Sequence, residues 1–186
     1  MTTIMESPLP DLIYRGKVRD THEMGDGLLL MVATDRISAF DVVMPNGIPD
    51  KGAVLCQLSS FWFAQTAGIV PNHLVALAVD RVDVSAPPEI ARRSMVVRRA
   101  ERIDVECVIR GYITGSAWAE YKKSGTVQNL PMQAGLQEGD RFPEPLFTPT
   151  TKAEVGHDEN MSKQEVEDMV GVETAKLLED TTAKVY

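Results

Sequence analysis

Four stretches of this chain set cations, hydroxyls and glycines at the ends of apolar segments, where small anions are usually held. The clearest is Val105-Glu106-Cys107-Val108-Ile109-Arg110-Gly111-Tyr112-Ile113-Thr114-Gly115-Ser116, an apolar strand that discharges an arginine, two glycines and a serine at its carboxyl end. The residues that follow suit a short helix from Ser116 to Ser124 that Gly125 stops, with Ser116 as its N-cap. A helix amino terminus presents unpaired N–H groups and the positive end of a dipole, so Arg110, Gly115 and Ser116 can together hold a phosphate. Upstream, Tyr14-Arg15-Gly16-Lys17-Val18-Arg19-Asp20 places a glycine among three cations, a plausible triphosphate cradle that does not follow the Walker pattern. Ala33-Thr34-Asp35-Arg36-Ile37-Ser38-Ala39-Phe40-Asp41 and Phe147-Thr148-Pro149-Thr150-Thr151-Lys152-Ala153-Glu154, followed by His157-Asp158-Glu159-Asn160, complete the set.

These motifs need elements to position them. Leu28 to Ala33 is a continuous apolar run bounded by Gly25-Asp26-Gly27, which predicts a strand buried on both faces. Asp41 to Met44 is expected to continue that sheet before the Pro45-Asn46-Gly47 turn. Ala53 to Ala67, with Leu55, Leu58, Trp62 and Thr66 on one stripe and Gly68 after it, predicts an amphipathic helix whose aromatic stripe faces the core. Leu74 to Val79 and Ser94 to Arg98 read as strands, with a short helix from Glu89 to Arg93 between them, and a subdomain boundary falls near Val97 to Ala100. Ile103 to Arg110 alternates, with Val105, Cys107 and Ile109 on one face and Glu106, Val108 and Arg110 on the other. Asn129 to Pro149 shows little regular pattern, and Ser162-Lys163-Gln164-Glu165 is a capping box that opens a helix running nearly to the last residue.

Composition narrows the classes of function. A chain of 186 residues, 44% hydrophobic, can bury a substantial core. Its formal net charge of -8 argues against nucleic acid or an anionic membrane as partner, while leaving local cation clusters free to bind small anions. The apolar runs are too short to span a bilayer and the amino terminus lacks a signal-peptide pattern, so a cytoplasmic protein is expected. Cys56 and Cys107 read as buried reduced thiols, His22 and His73 as turn or surface residues, and Arg92, Arg93, Arg99 and Arg102 as a solvated surface.

In this order the four motifs resemble the phosphoribosylaminoimidazole-succinocarboxamide synthase (SAICAR synthase) family, and the resemblance runs over essentially the whole chain. It implies an α+β, two-subdomain fold with mostly antiparallel sheets and a nucleotide cleft between the subdomains, lacking the family's C-terminal part. Residues 1–98 would form a β-rich subdomain with a phosphate-covering loop, and residues 99–186 the start of an ATP-grasp-like subdomain. The implied activity is an ATP-dependent ligation of purine synthesis that joins L-aspartate to 5-amino-1-(5-phosphoribosyl)imidazole-4-carboxylate through an acyl phosphate. The alternative is a catalytically inactive fragment that binds nucleotide or ribonucleotide. By resemblance, Arg15, Gly16 and Lys17 cover the ATP phosphates, and Met95, Val97, Glu106 and Val108 line the adenosine pocket. Ser38, Asp41, Arg110, Gly115 and Ser116 hold the imidazole ribonucleotide, and Lys17, Arg19, Lys152 and Asp158 act at the reacting groups. Magnesium would accompany ATP, with ligands that the sequence does not assign. An unpaired sheet edge left by the missing part predicts self-association.

Overall fold

The computed structural model describes residues 3–40, 42–152 and 158–186; Asp41, Glu154 and His157 lie outside the described residues. Two compact units are present, one up to Glu101 and one from Arg102 onward. Among the described residues no helix is long and apolar enough to cross a membrane.

The first unit contains β1 (Leu12–Arg15), β2 (Arg19–Gly25), β3 (Leu28–Ala33), β4 (Ser38–Ala39), β5 (Val42–Val43), α1 (Lys51–Thr66), β6 (Leu74–Leu77), α2 (Pro88–Ala91) and β7 (Ser94–Arg98). Five of these strands form one antiparallel sheet in the order β1-β2-β3-β7-β6. The apolar run of β3 needs both faces. Leu30 and Val32 pack with Ala78, Ile90 and Val96 on one side, while Leu29, Met31 and Ala33 pack with Cys56, Met95 and Val97 on the other. Val42–Val43 does not continue this sheet as the sequence suggests; it pairs back on Ser38–Ala39 as a separate hairpin with Phe40 at positive φ in the turn.

Helix α1 reverses the expected orientation. Gly52, Cys56 and Phe63 face the sheet, whereas Leu55, Leu58 and Trp62 are 43%, 48% and 57% exposed. Apolar residues occur on both sides of this helix, so periodicity alone could not choose between them; close approach did. A Cβ on Gly52 would stand 2.1 Å from the Ala33 carbonyl oxygen, so only glycine lets the first turn meet the end of β3.

Charged groups fasten this unit from inside. Arg93, expected on a solvated surface, is 1% exposed, because its guanidinium pairs with Asp35 at 2.6 Å and donates to the Glu89 carbonyl at 3.0 Å. Asp35 also accepts the N–H of Ile4 at 2.8 Å and of Gly52 at 3.0 Å, taking one unsatisfied donor at the amino terminus of α1. Burial alone pushes the Asp35 carboxyl upward, but hydrogen bonds from Arg93, Ile4 and Gly52 outweigh it and hold it below its ordinary value of 3.8. Asp20 behaves alike: against burial, Arg36 and the Ser7 N–H, with Arg15 beyond, hold it low. His22, also expected near the surface, is 2% exposed on β2, and its Nδ1 lies 2.6 Å from the Pro10 carbonyl, which makes Nδ1 the protonated nitrogen. Residues 3–10 are thereby laid along the sheet as a strap.

The second unit contains β8 (Val105–Glu106), β9 (Ile109–Tyr112), α3 (Gly115–Ser124), β10 (Thr126–Val127), β11 (Leu130–Pro131), β12 (Arg141–Phe147), β13 (Thr150–Thr151), α4 (Lys163–Val170) and α5 (Val172–Val185). The single strand expected over 103–110 is two strands. β8 pairs with β13 and β9 with β12, and the interruption falls where Pro149, with fixed φ and no N–H, lies on the facing chain. The segment 129–149 is more regular than its prolines suggested, because Pro143 and Pro145 sit where the β12–β9 register shifts, between Arg141 and Leu146. Ile113, Ala117, Val127 and Phe142 form one core here, and Met161, Val166 and Ala175 another. The Ser162–Glu165 capping box is closed in both directions, and Gly171 at φ 84 divides the expected terminal helix into α4 and α5.

Gly52→Ala should cost about 1–3 kcal/mol in urea unfolding, as overpacking does, and Ser162→Ala about 1 kcal/mol for the lost cap; a Gly52→Ala chain as stable as the parent would refute the close approach. Because the folded Asp20 and Asp35 carboxyls are depressed, their stabilisation is present above the unfolded value of about 3.9 and is lost as pH falls through the folded values. Unfolding free energy measured by denaturant titration should therefore drop below about pH 4, and Asp35→Asn should flatten that acid limb.

Candidate functional site

The loop between β1 and β2 carries the first cluster. Its turn is closed by the Gly16 N–H donating to the Arg19 carbonyl at 2.8 Å, with Arg15 opposite Asp20 in register. A Cβ on Gly16 would meet the Tyr14 ring at 3.2 Å, so the close turn favours glycine. Arg15 pairs with Glu6 at 2.8 Å and approaches Asp20 at 3.3 Å, while Lys17 and Arg19 carry exposed side chains. Beneath the loop lies Arg36, 5% exposed, which donates to the carbonyls of Gly16 and Lys17 and to Asp20. The sequence assigns Arg36 no role; its local signal is only an arginine shortly after an apolar strand.

Between α1 and the sheet lies a cleft of about 310 Å³ whose lining includes Val18, Arg19, Met31, Lys51, Phe63 and Met95. Apolar walls with three cations, Arg19, Lys51 and the Asp35-paired Arg93, suit a ligand that combines a flat apolar body with negative charge. Burial lowers the Lys51 ammonium below its ordinary value; Asp35 opposes this, and Arg36 and Arg19 add to it. Cys56, on the same wall, is pushed up to about 11 by burial and is a poor nucleophile at neutral pH. Burial, with help from Arg19, lowers His73, whose ring stands edge-on to Phe63 at 5.2 Å. Met95 faces this cleft, whereas Val97 is 1% exposed within the core beside it. Lys51 was not singled out in the sequence, although Pro49-Asp50-Lys51-Gly52 announces a helix start. Ser38 is exposed on the separate hairpin.

In the second unit Arg110 on β9 reaches two hydroxyls, Thr148 Oγ1 at 3.1 Å through Nε and Ser116 Oγ at 3.3 Å through Nη2. Ser116 is not the N-cap, because Thr114 occupies that place in extended backbone without a side-chain cap bond and Gly115, at φ 56, is the first helical residue. The serine hydroxyl is thereby released to face Arg110. A small cavity of about 10 Å³, room for about one water, is bounded by Arg110, Ser116, Glu120, Gln128, Thr148 and Asn160. Glu120 resists burial because the N–H groups of Asn129 and Gln128 and the Thr126 hydroxyl hold its carboxyl low. The Arg110 guanidinium, the Ser116 hydroxyl and a helix start without a side-chain cap make a corner with the chemistry to take an anion, and Thr148, which the sequence does not single out, accepts from Arg110 and fixes the guanidinium. Its Oγ1 and N–H both donate to the Val108 carbonyl, which explains its fixed position and engages the backbone acceptor of Val108.

Lys152 and Glu106, assigned to different roles by resemblance, form an ion pair with each other, and Asp158 is exposed. Among the described residues no group of three or more His, Cys, Asp or Glu side chains stands close enough to hold a metal ion.

Comparison with known proteins shows the family. The family model of SAICAR synthetase matches residues 12–186. A phosphoribosylaminoimidazole-succinocarboxamide synthase from Elusimicrobium minutum is 47% identical over 180 residues, covering 94% of this chain and 61% of the relative. The fold superposes on the SAICAR synthase of Saccharomyces cerevisiae, solved in complex with SAICAR, with a TM-score of 0.84 and 44% identity over 100% of this chain and 64% of that one. A type-2 SAICAR synthetase in complex with ADP, 21% identical with a TM-score of 0.72, shares the fold. The chain thus spans less than two thirds of the length of the relatives it matches, and over that span it belongs to the SAICAR synthetase family.

Proposed function

We propose that the chain carries the nucleotide-loop and phosphate-anchoring parts of a ligase of purine synthesis that joins L-aspartate to 5-amino-1-(5-phosphoribosyl)imidazole-4-carboxylate. The observation that carries this reading is the convergence of the Arg110 guanidinium and the Ser116 hydroxyl at the start of α3, donors suited to a phosphomonoester, with Thr148 fixing the guanidinium. In this reading residues 1–98 bear the loop that covers the ATP phosphates and residues 99–186 begin the ATP-grasp-like part. Support for ligands comes from relatives, one solved with SAICAR and one with ADP.

The chemical difficulty is that a carboxylate resists nucleophiles. Attack of a carboxylate oxygen on the γ-phosphorus of ATP breaks the bond to ADP and yields an acyl phosphate. The aspartate amine then adds to the acyl carbon, phosphate leaves, and the amine proton is lost to form the amide. Lys17 and Arg19 stabilise charge on the transferring phosphoryl oxygens, while Arg110, Gly115 and Ser116 hold the ribonucleotide phosphate. Met95 supplies an apolar wall for the adenosine, with Val97 as the core beside it, and by resemblance Glu106 and Val108 are assigned to the same ligand. Ser38 and Asp41 serve the ribonucleotide, and Lys152 and Asp158 the reacting groups. Magnesium, implied as the companion of ATP, finds no carboxylate cage among the described residues, and no step is assigned to it.

The two anion sites should fail separately. Calorimetric titration is expected to show Arg110→Ala weakening the ribonucleotide about 10- to 100-fold, as loss of charged hydrogen bonds does, with MgATP affinity unchanged. Lys17→Ala should do the reverse. Succinocarboxamide formation by the chain given MgATP, aspartate and the ribonucleotide tests the ligase itself; binding of both ligands without product would favour the inactive alternative. Ribonucleotide affinity unaffected by Arg110→Ala would remove the anchoring role.

A further inference from the structure

We infer that Arg36 is the positioning residue of the Gly16–Val18 loop, holding its backbone so that the amides of Lys17 and Val18 face outward as phosphate donors. The nucleotide part of this inference rests on the function proposed above. The geometry stands independently of it.

Three consecutive carbonyls of the loop are drawn toward one tripeptide, Thr34-Asp35-Arg36. Arg36 Nη2 donates to the Gly16 carbonyl at 2.9 Å and Arg36 Nε to the Lys17 carbonyl at 3.2 Å. The Val18 carbonyl accepts the Thr34 N–H at 3.0 Å and the Thr34 hydroxyl at 2.8 Å. A trans peptide sets its N–H antiparallel to its C=O, and no peptide among the described residues is cis. Turning the Gly16 and Lys17 carbonyls onto Arg36 therefore directs the N–H groups of Lys17 and Val18 away from it. Successive outward amides are the usual backbone means of gripping an anion.

Arginine is required for this geometry. Its planar fork spans two carbonyls and the Asp20 carboxylate at 2.8 Å, while Nη1 donates to the Met5 carbonyl of the strap. A lysine ammonium, a single point with three donors, cannot reach this set. Asp20 neutralises the buried charge, and because residues 3–10 engage the same guanidinium, strap and loop are held by one group.

Two variants test the role. Arg36→Lys retains the charge beside Asp20, and the double variant Asp20→Asn, Arg36→Gln leaves no uncompensated buried charge, so folding should survive in it even where a single change fails. Trypsin cleavage after Arg15, Lys17 or Arg19 reports loop order, since cleavage requires local opening. The expected result is at least tenfold faster cleavage within 15–19, no change at sites in the second unit, and MgATP affinity weakened at least tenfold. A uniform rise in cleavage across the first unit would mark a merely structural role and overturn the inference, as would failure of both variants to fold. Faster loop cleavage with unchanged MgATP affinity, or an unchanged loop, also overturns it. If the parent chain itself fails to bind MgATP, the nucleotide reading falls, whereas the loop-specific cleavage still decides whether Arg36 sets the loop.

Discussion

The pairing of Asp35 with Arg93 and of Asp20 with Arg36 inside the first unit is the constraint on which the rest of that unit depends. A buried carboxylate or guanidinium is costly to desolvate, and the cost is recovered only when every donor and acceptor finds a partner. Here they do. Asp35 collects the strap, the start of α1 and Arg93; Asp20 collects the strap and Arg36. Removing one partner strands a charge, which typically costs about 3–5 kcal/mol, so these residues specify one arrangement of strap, loop and helix.

Three neighbours in sequence divide this labour. Thr34 fastens Val18, Asp35 fastens α1 and the strap, and Arg36 fastens Gly16 and Lys17. The tripeptide follows β3, a central strand packed on both faces, so its backbone is well anchored before its side chains are used. A glycine-containing turn is thus fastened to the end of a central strand.

The second unit gathers its polar groups differently. Its donors are placed by a strand end and a helix start that come close because Gly115 adopts positive φ and shifts the cap to Thr114. The hydroxyl of Ser116 is freed for Arg110, and Thr148, on the chain facing β9, supplies the second hydroxyl. Glu120 on the same cavity has its oxygens occupied by three donors, the Thr126 hydroxyl and the N–H groups of Gln128 and Asn129.

Local chemistry by itself determined a good deal. The apolar run of β3, the limits of β7, the stop of α3 at Gly125 and the capping box at Ser162 were legible because each depends on residues adjacent in the chain. Arg110 beside Ser116 was legible because strand, turn and helix follow one another directly. The buried state of Arg93 and His22, the side on which α1 packs, the split at Pro149 and the clamp of Arg36 were not. Each is decided by partners 12 to 60 residues away. An arginine looks alike in sequence whether it meets water or a buried carboxylate, and only the tertiary fold, by bringing Asp35, Asp20 and the loop carbonyls within hydrogen-bond reach, decides which it meets.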